Sequence, residues 1–196
     1  KMDCIFAITG KDYVLIASDK SVSQSIIKMQ DDDNKLVPIG NNQILGSAAD
    51  VSVRKNFTKL VKANINYNYY RYNNKLLTKE VASFTRNMIW ESLRTKNPMQ
   101  AFSLVAGVDD GEPNLYLMDQ FGGMERVTKG SVGYASYFLY GLMDSCYSKD
   151  FNLSDGKETI KKCIKELKTR FLINLVNFDV KLITSDGVND ISHEFN

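Results

Sequence analysis

The stretch Cys4-Ile5-Phe6-Ala7-Ile8-Thr9-Gly10-Lys11-Asp12-Tyr13-Val14-Leu15-Ile16-Ala17-Ser18-Asp19 decides the fold. Two apolar runs, Cys4 to Thr9 and Tyr13 to Ser18, flank Gly10-Lys11-Asp12, and the glycine supplies the turn of a hairpin. Neither run alternates cleanly between apolar and polar residues. That predicts two strands buried on both faces.

Beyond the hairpin, a polar stretch from Asp19 to Asn34 ends in the acidic run Asp31-Asp32-Asp33. Lys35 to Ile39 and Gln43 to Gly46 form a second strand pair, turned at Gly40-Asn41-Asn42. Pro38 argues against a central place for the first of these. Val53, Phe57, Leu60 and Val61 then fall at helical spacing, with Asp50 as a cap, and this helix runs into the tyrosine-rich stretch Asn66 to Tyr72. Thr78 is the N-cap expected for a second helix. Its stripe is Val81, Phe84, Met88 and Leu93, and Asn97-Pro98 stops it. Strands Phe102 to Gly107 and Asn114 to Met118 follow, about the turn Asp109 to Pro113. Gly122-Gly123 turns the chain again before Met124 to Thr128. Ser131-Val132-Gly133-Tyr134 leads into a helix over 136–146. Asp155, with Glu158 completing a capping box, starts a long helix striped by Ile160, Cys163, Ile164, Leu167 and Phe171. A strand over Phe178 to Thr184 and the turn Ser185-Asp186-Gly187 close the pattern. Strand blocks thus alternate with helix pairs rather than with single crossover helices. That order favours an α+β protein with antiparallel sheets inside helix layers over a doubly wound parallel sheet.

Composition bounds the function. The 196 residues fit one domain, 1–196, with 43% hydrophobic and 24% charged residues. A net charge of +2 gives no strong pull toward nucleic acid or an anionic membrane. No apolar run approaches the roughly 20 residues of a membrane span, and Lys1 to Thr9 reads as the start of a strand rather than a signal peptide. Cys4, Cys146 and Cys163 are odd in number and scattered, so neither a disulfide framework nor a zinc pattern is expected, and a reducing compartment is the simplest setting. The single histidine, His193, lies three residues from the end of the sequence, so a catalytic imidazole or a His-based metal site is not expected.

Several local words carry a resemblance. Tyr13-Val14-Leu15-Ile16-Ala17-Ser18-Asp19, Gly46-Ser47-Ala48-Ala49-Asp50, Leu115-Tyr116-Leu117-Met118-Asp119 and Tyr140-Gly141-Leu142-Met143-Asp144 occur in the order and spacing of the proteasome β subunits. The chain resembles that family, of the N-terminal nucleophile hydrolase fold, over nearly its whole length. Asp12 to Leu15, Met29 to Asp32, Phe84-Thr85-Arg86 and Thr169 to Leu175 are most similar to its eukaryotic β4-type branch. The resemblance implies a four-layer αββα sandwich, two antiparallel sheets between helix pairs. It also implies a place in the 20S core: an inner ring between two β neighbours, beneath α-ring subunits and facing the opposing β ring. No cofactor, nucleic acid or membrane is implied, and the compartments are cytoplasm and nucleus.

Active members of the family use an N-terminal threonine whose own amine serves as base, with an aspartate sixteen places on and a lysine sixteen beyond that. Asp19 matches the aspartate and Lys35 the lysine. Sixteen residues before Asp19 stands Asp3, a carboxylate, preceded by Lys1-Met2. Gly46 matches the glycine whose N–H serves the oxyanion. The family's Gly-Ser-Gly-Ser turn is Gly133-Tyr134-Ala135-Ser136 here, so Tyr134 puts bulk where a small hydroxyl is needed. In the Arg-Asp-x-x-Ser motif Arg170 is kept, but the aspartate is Phe171, read as core, and the serine is Asn174. The implied reading is a degenerate site of Asp3, Asp19, Lys35, Tyr134, Phe171 and Asn174, with no catalytic residue, on a retained scaffold.

Other readings stand beside this one. Asp19 and Lys35 can form a relic ion pair, tie two strands together or sit solvated. Removal of residues 1–3 would make Cys4 an N-terminal thiol in a stand-alone hydrolase, but its register turns it to the other sheet face, as a buried structural cysteine. Tyr67 to Tyr72, with Lys62, Arg71 and Lys75, can stack bases, and the low net charge favours an interface or helix-end loop. Asp31-Asp32-Asp33 lacks the alternating ligands of a calcium loop and reads as a solvated turn.

Overall fold

The computed structural model describes residues 3–24, 27–148 and 151–195. The opening hairpin forms as expected. Strands β1 (Cys4–Thr9) and β2 (Val14–Asp19) are antiparallel, with Ala7 opposite Ile16, and every residue of both is buried. They make the middle of a five-stranded sheet. β10 (Lys129–Gly133) pairs outside β1, and β11 (Phe178–Thr184) and β12 (Gly187–Asp190) extend beyond β2. The second sheet runs β5 (Leu36–Pro38), β6 (Gln43–Ala48), β7 (Phe102–Asp109), β8 (Glu112–Met118), β9 (Met124–Arg126). Pro38 is accordingly on an edge strand, where its missing N–H costs no ladder bond. The β7–β8 hairpin turns on Asp110 and Gly111, at φ 50° and 81°, a turn that needs positive φ at both central residues. Every pairing within the two sheets is antiparallel.

Two helices cover each sheet. α1 (Val51–Tyr72) and α2 (Thr78–Ser92) bury Phe57, Val61, Val81, Ala82 and Ile89 against Leu45, Val105 and Tyr116. α3 (Ser136–Cys146) and α4 (Leu153–Arg170) bury Leu139, Met143, Ile160, Cys163, Ile164 and Leu167 against Phe6, Leu15 and Val180. Between the sheets lies a third apolar layer of Ile5, Val14, Ile16, Leu36, Ile44, Leu104 and Leu115. The order helix pair, sheet, sheet, helix pair is the four-layer αββα sandwich. No helix among the described residues is long and apolar enough to cross a membrane.

Several local expectations are corrected. The second helix is capped at Leu77, not Thr78. Glu80 accepts the Leu77 N–H at 2.8 Å, and the Thr78 hydroxyl is spent as a donor to Asp109 at 3.0 Å. Leu93 lies just past the end of α2. The long helix begins at Leu153, not Asp155, because the Asn152 side chain accepts the Asp155 N–H at 2.9 Å and takes the cap one turn earlier. Glu158 pairs instead with Lys162, four residues on, at 2.8 Å. Asp50 occupies the N-cap of α1 but makes no side-chain cap bond. Asn66 to Tyr72 forms the last turns of α1, not a loop, with the Arg71 guanidinium against the rings of Tyr67 and Tyr72. A short ribbon of β3 (Val22–Gln24) and β4 (Ile27–Gln30) stands in the polar stretch.

Candidate functional site

Hairpin geometry places Asp3 and Asp19 together. The start of β1 and the end of β2 lie at the same end of an antiparallel pair, with Ile5 opposite Ser18. Lys35, just ahead of β5, reaches them from the other sheet. Its ammonium lies 2.7 Å from Asp3 Oδ1, 2.8 Å from both oxygens of Asp19 and 2.8 Å from the carbonyl of Ser21. Asp19 also accepts the N–H groups of Cys4 at 2.8 Å and Ser21 at 3.2 Å. The other oxygen of Asp3 accepts the N–H of Ala49 at 3.1 Å, at the residue preceding the cap of α1, where the helix dipole favours an anion. All three charged groups are buried, so the two strands are tied by a desolvated triad rather than by solvated charges.

This arrangement determines what the position can do. Both Asp3 oxygens are engaged, one by an ammonium and one by an amide. The cleft at Asp3, bordered by Ser21, Ser23, Ala49 and Asp50, holds only about 100 Å³, against roughly 300–1,000 Å³ for a ligand pocket. A carboxylate fixed by opposite charge is a weak nucleophile toward an amide, and no hydroxyl or thiol stands in its place. Gly46 lies within the β6 ladder, between Leu36 and Leu104, and the amide that donates to Asp3 is that of Ala49.

The remaining predicted site residues divide. The Tyr134 N–H donates to the Asp3 carbonyl at 3.1 Å, but its ring packs edge-on to Phe171 at 6.4 Å and lies 6.0 Å from Tyr137, toward the helix layer. Its bulk therefore joins an aromatic cluster rather than crowding the Asp3 carboxylate. Phe171 packs partly buried against the core beneath α3 and α4, edge-on to Phe138 and Tyr134, as a core reading expects, but it lies just past the end of α4 rather than on the helix stripe. Asn174 is exposed, and Arg170 pairs with Glu166 on its own helix. Asp3, Asp19 and Lys35 thus meet, Tyr134 and Phe171 form a second group, and Asn174 joins neither.

Cys4 faces the core beneath α3 and α4, opposite to the triad. Burial, reinforced by Asp19, pushes its thiol well above the ordinary range, so it is not a poised nucleophile. Lys1 and Met2 lie outside the described residues. The acidic run is not a solvated turn throughout. Asp31 pairs with Lys28 and Asp32 with Lys20, while Asp33 is buried in an ion pair with the equally buried Arg54 of α1. Sequence pattern gave no sign of this last pair, because nothing in the spacing of Asp33 and Arg54 distinguishes them from surface charges. No cluster of three or more His, Cys, Asp or Glu that could hold a metal occurs among the described residues.

Stability is expected to fall on the alkaline side. Burial opposes charge on Lys35, but Asp19 and Asp3 outweigh it and raise its pKa above 10.5. Burial pushes the Tyr13 hydroxyl from 10.0 to about 12, and burial, with Cys146 nearby, pushes the Cys163 thiol from 9.0 to about 12. A group raised in the folded state contributes fully below its unfolded pKa and loses that contribution as pH rises through the folded one. Urea midpoints should therefore be unaffected by these groups from pH 7 to about 8.5 and decline steadily above about 9. A midpoint that rises between pH 9 and 11 would contradict the assignment.

A family model described as proteasome subunit matches residues 2–183. The chain is 36% identical to proteasome subunit beta type-2 of Dictyostelium discoideum, covering 95% of this chain and 96% of that one. It is 32% identical to proteasome subunit beta type-2 of Oryza sativa subsp. japonica, covering 96% and 89%. It is 30% identical to the probable proteasome subunit beta type-4 of Schizosaccharomyces pombe, covering 97% and 100%.

Proposed function

We propose that this chain, which belongs to the proteasome subunit family, is a non-catalytic β4-type subunit of the 20S core. Kinship with β-type subunits already implies a protein-degradation assembly made with other proteasome subunits. The finer reading concerns its seat. The chain would fill one position of an inner β ring, between two β neighbours, beneath the α ring and facing the opposing β ring, in cytoplasm and nucleus. A closed ring needs every seat filled by a shape-matched wedge, whereas chemistry is needed only at some of them. Here the wedge completes the wall of the chamber in which ubiquitin-tagged proteins are cut by its siblings.

The observation that carries this reading is the occupant of the nucleophile position. Asp3 stands there, bonded to Lys35 at 2.7 Å and to the Ala49 amide at 3.1 Å. Asp19 and Lys35 keep the spacing of an active frame, but they hold a carboxylate instead of activating a hydroxyl. The alternative, a stand-alone hydrolase using Cys4, would require removal of Asp3 and leave Lys35 with Asp19 alone. It would also need a thiol that faces the helix layer to turn through the sheet.

Native purification tests the seat. The chain is expected in a large particle with other β-type and α-type chains, in fixed stoichiometry by mass spectrometry of the intact complex. Recovery from a gentle extract as a lone monomer, with no such partners, would overturn the proposal.

A further inference from the structure

The outer surface of α4 carries a feature unrelated to the Asp3 cluster. Lys161, Lys165 and Lys168 follow one another at helical intervals, so they share one face, and all three are exposed. They border a groove of about 380 Å³ that also takes in Ile164, Glu194 and Phe195. The other cations of this helix are neutralised. Lys157 pairs with Glu194 at 2.8 Å, Lys162 with Glu158 at 2.8 Å, and Arg170 with Glu166. Among the described residues the three groove lysines form no ion pair, and Glu194, the acid at the groove, is already engaged by Lys157. Two of the three are held over aromatic faces instead. The Lys161 ammonium stands 5.7 Å from the Phe195 ring centroid, and that of Lys168 stands 5.7 Å from the Phe178 centroid.

The geometry points to this groove as a docking surface for a segment of another polypeptide that carries several carboxylates around an apolar side chain. Three like charges on one helix face repel one another, and an anionic partner relieves that repulsion. Ile164 is buried and Phe195 half-buried, so the groove offers an apolar floor between its cations. Carboxylates then meet the rim and an aliphatic or aromatic side chain meets the floor. A phosphate polymer satisfies the rim alone, which is why the peptide is the occupant the groove fits best. The surface is independent of whether Asp3 is inert.

The test uses the full chain and a fluorescein-labelled peptide of glutamates flanking a central phenylalanine, read by fluorescence anisotropy. The parent is expected to bind it, more weakly as salt rises. The variant K161E/K165E/K168E should bind roughly tenfold more weakly, three exposed charge contacts each contributing a factor of a few. That variant should instead bind the mirror probe, lysines flanking phenylalanine, which the parent ignores. Alanine in place of the probe's phenylalanine should weaken binding several-fold. Should the reversed variant fail to fold, K161Q/K165Q/K168Q gives the same readout with a smaller loss. Absence of peptide binding, equal binding to parent and variant, or binding of a labelled oligoribonucleotide in place of the peptide would each overturn the proposal.

Discussion

Replacing Lys35 by methionine is expected to cost about 3–5 kcal/mol of stability. Among the described residues the ammonium of Lys35 is the only counter-charge bonded to Asp3 and Asp19, which lie at 2.7 and 2.8 Å from it. Methionine keeps most of the stem's volume, so the loss is electrostatic rather than a cavity. It leaves two buried carboxylates facing one another, supported among the described residues by the amides of Ala49, Cys4 and Ser21. Urea unfolding of the full chain measures the loss. The double variant Lys35→Met with Asp19→Leu should recover a substantial part of it, because removing both partners of a buried pair is far less costly than removing one. A single variant within about 0.5 kcal/mol of the parent would mean that the triad is solvated, and the account of the site would be wrong.

Gly133→Ala should be comparably severe, about 4 kcal/mol or more. Gly133 ends β10 at φ 76°, a conformation that side-chain-bearing residues adopt with strain. A Cβ there would also lie 2.0 Å from the carbonyl oxygen of Asp3. That oxygen is backbone and accepts the Tyr134 N–H, so it cannot swing aside as a side chain could. The substitution must displace either the β10–α3 turn or the first residue of the triad. Its effect should therefore reach Asp3, and the amide of Ala49 should exchange with solvent faster in the variant. Wild-type exchange at Ala49, with stability lost, would show that the turn yields and the triad does not depend on it.

The hairpin was legible from local spacing, whereas the grouping of Asp3, Asp19 and Lys35 came from the resemblance to the family's frame, with the form of their contact left open. Gly10 between two apolar runs specifies β1 and β2, and the intervals linking Asp3, Asp19 and Lys35 carry over to the folded site because each stands at a strand end. Pro38 marked an edge strand for the same kind of reason, a missing donor. What stayed hidden depends on partners distant in sequence. β10, Lys-Gly-Ser-Val-Gly, has poor strand propensity and exists because its backbone pairs with β1. β12 is short and largely exposed, and exists because β11 offers it an edge. The cap at Asn152 was missed because Asp155 and Glu158 present an equally good capping box one turn later. The direction of Tyr134 could not be read from its motif, since it is set by contact with Phe171 and Tyr137 across the α3–α4 layer. Asp33 read as solvent-facing within its acidic run, and only the packing of α1 brings Arg54 to bury it.

The most direct measurement treats the intact particle with an electrophile that traps N-terminal nucleophiles, then maps every β-type chain by mass spectrometry. Adducts are expected on catalytic siblings, with this chain unmodified and Asp3 retained. An adduct on the leading residue of this chain, or a chain that begins at Cys4 and carries the label, would contradict it.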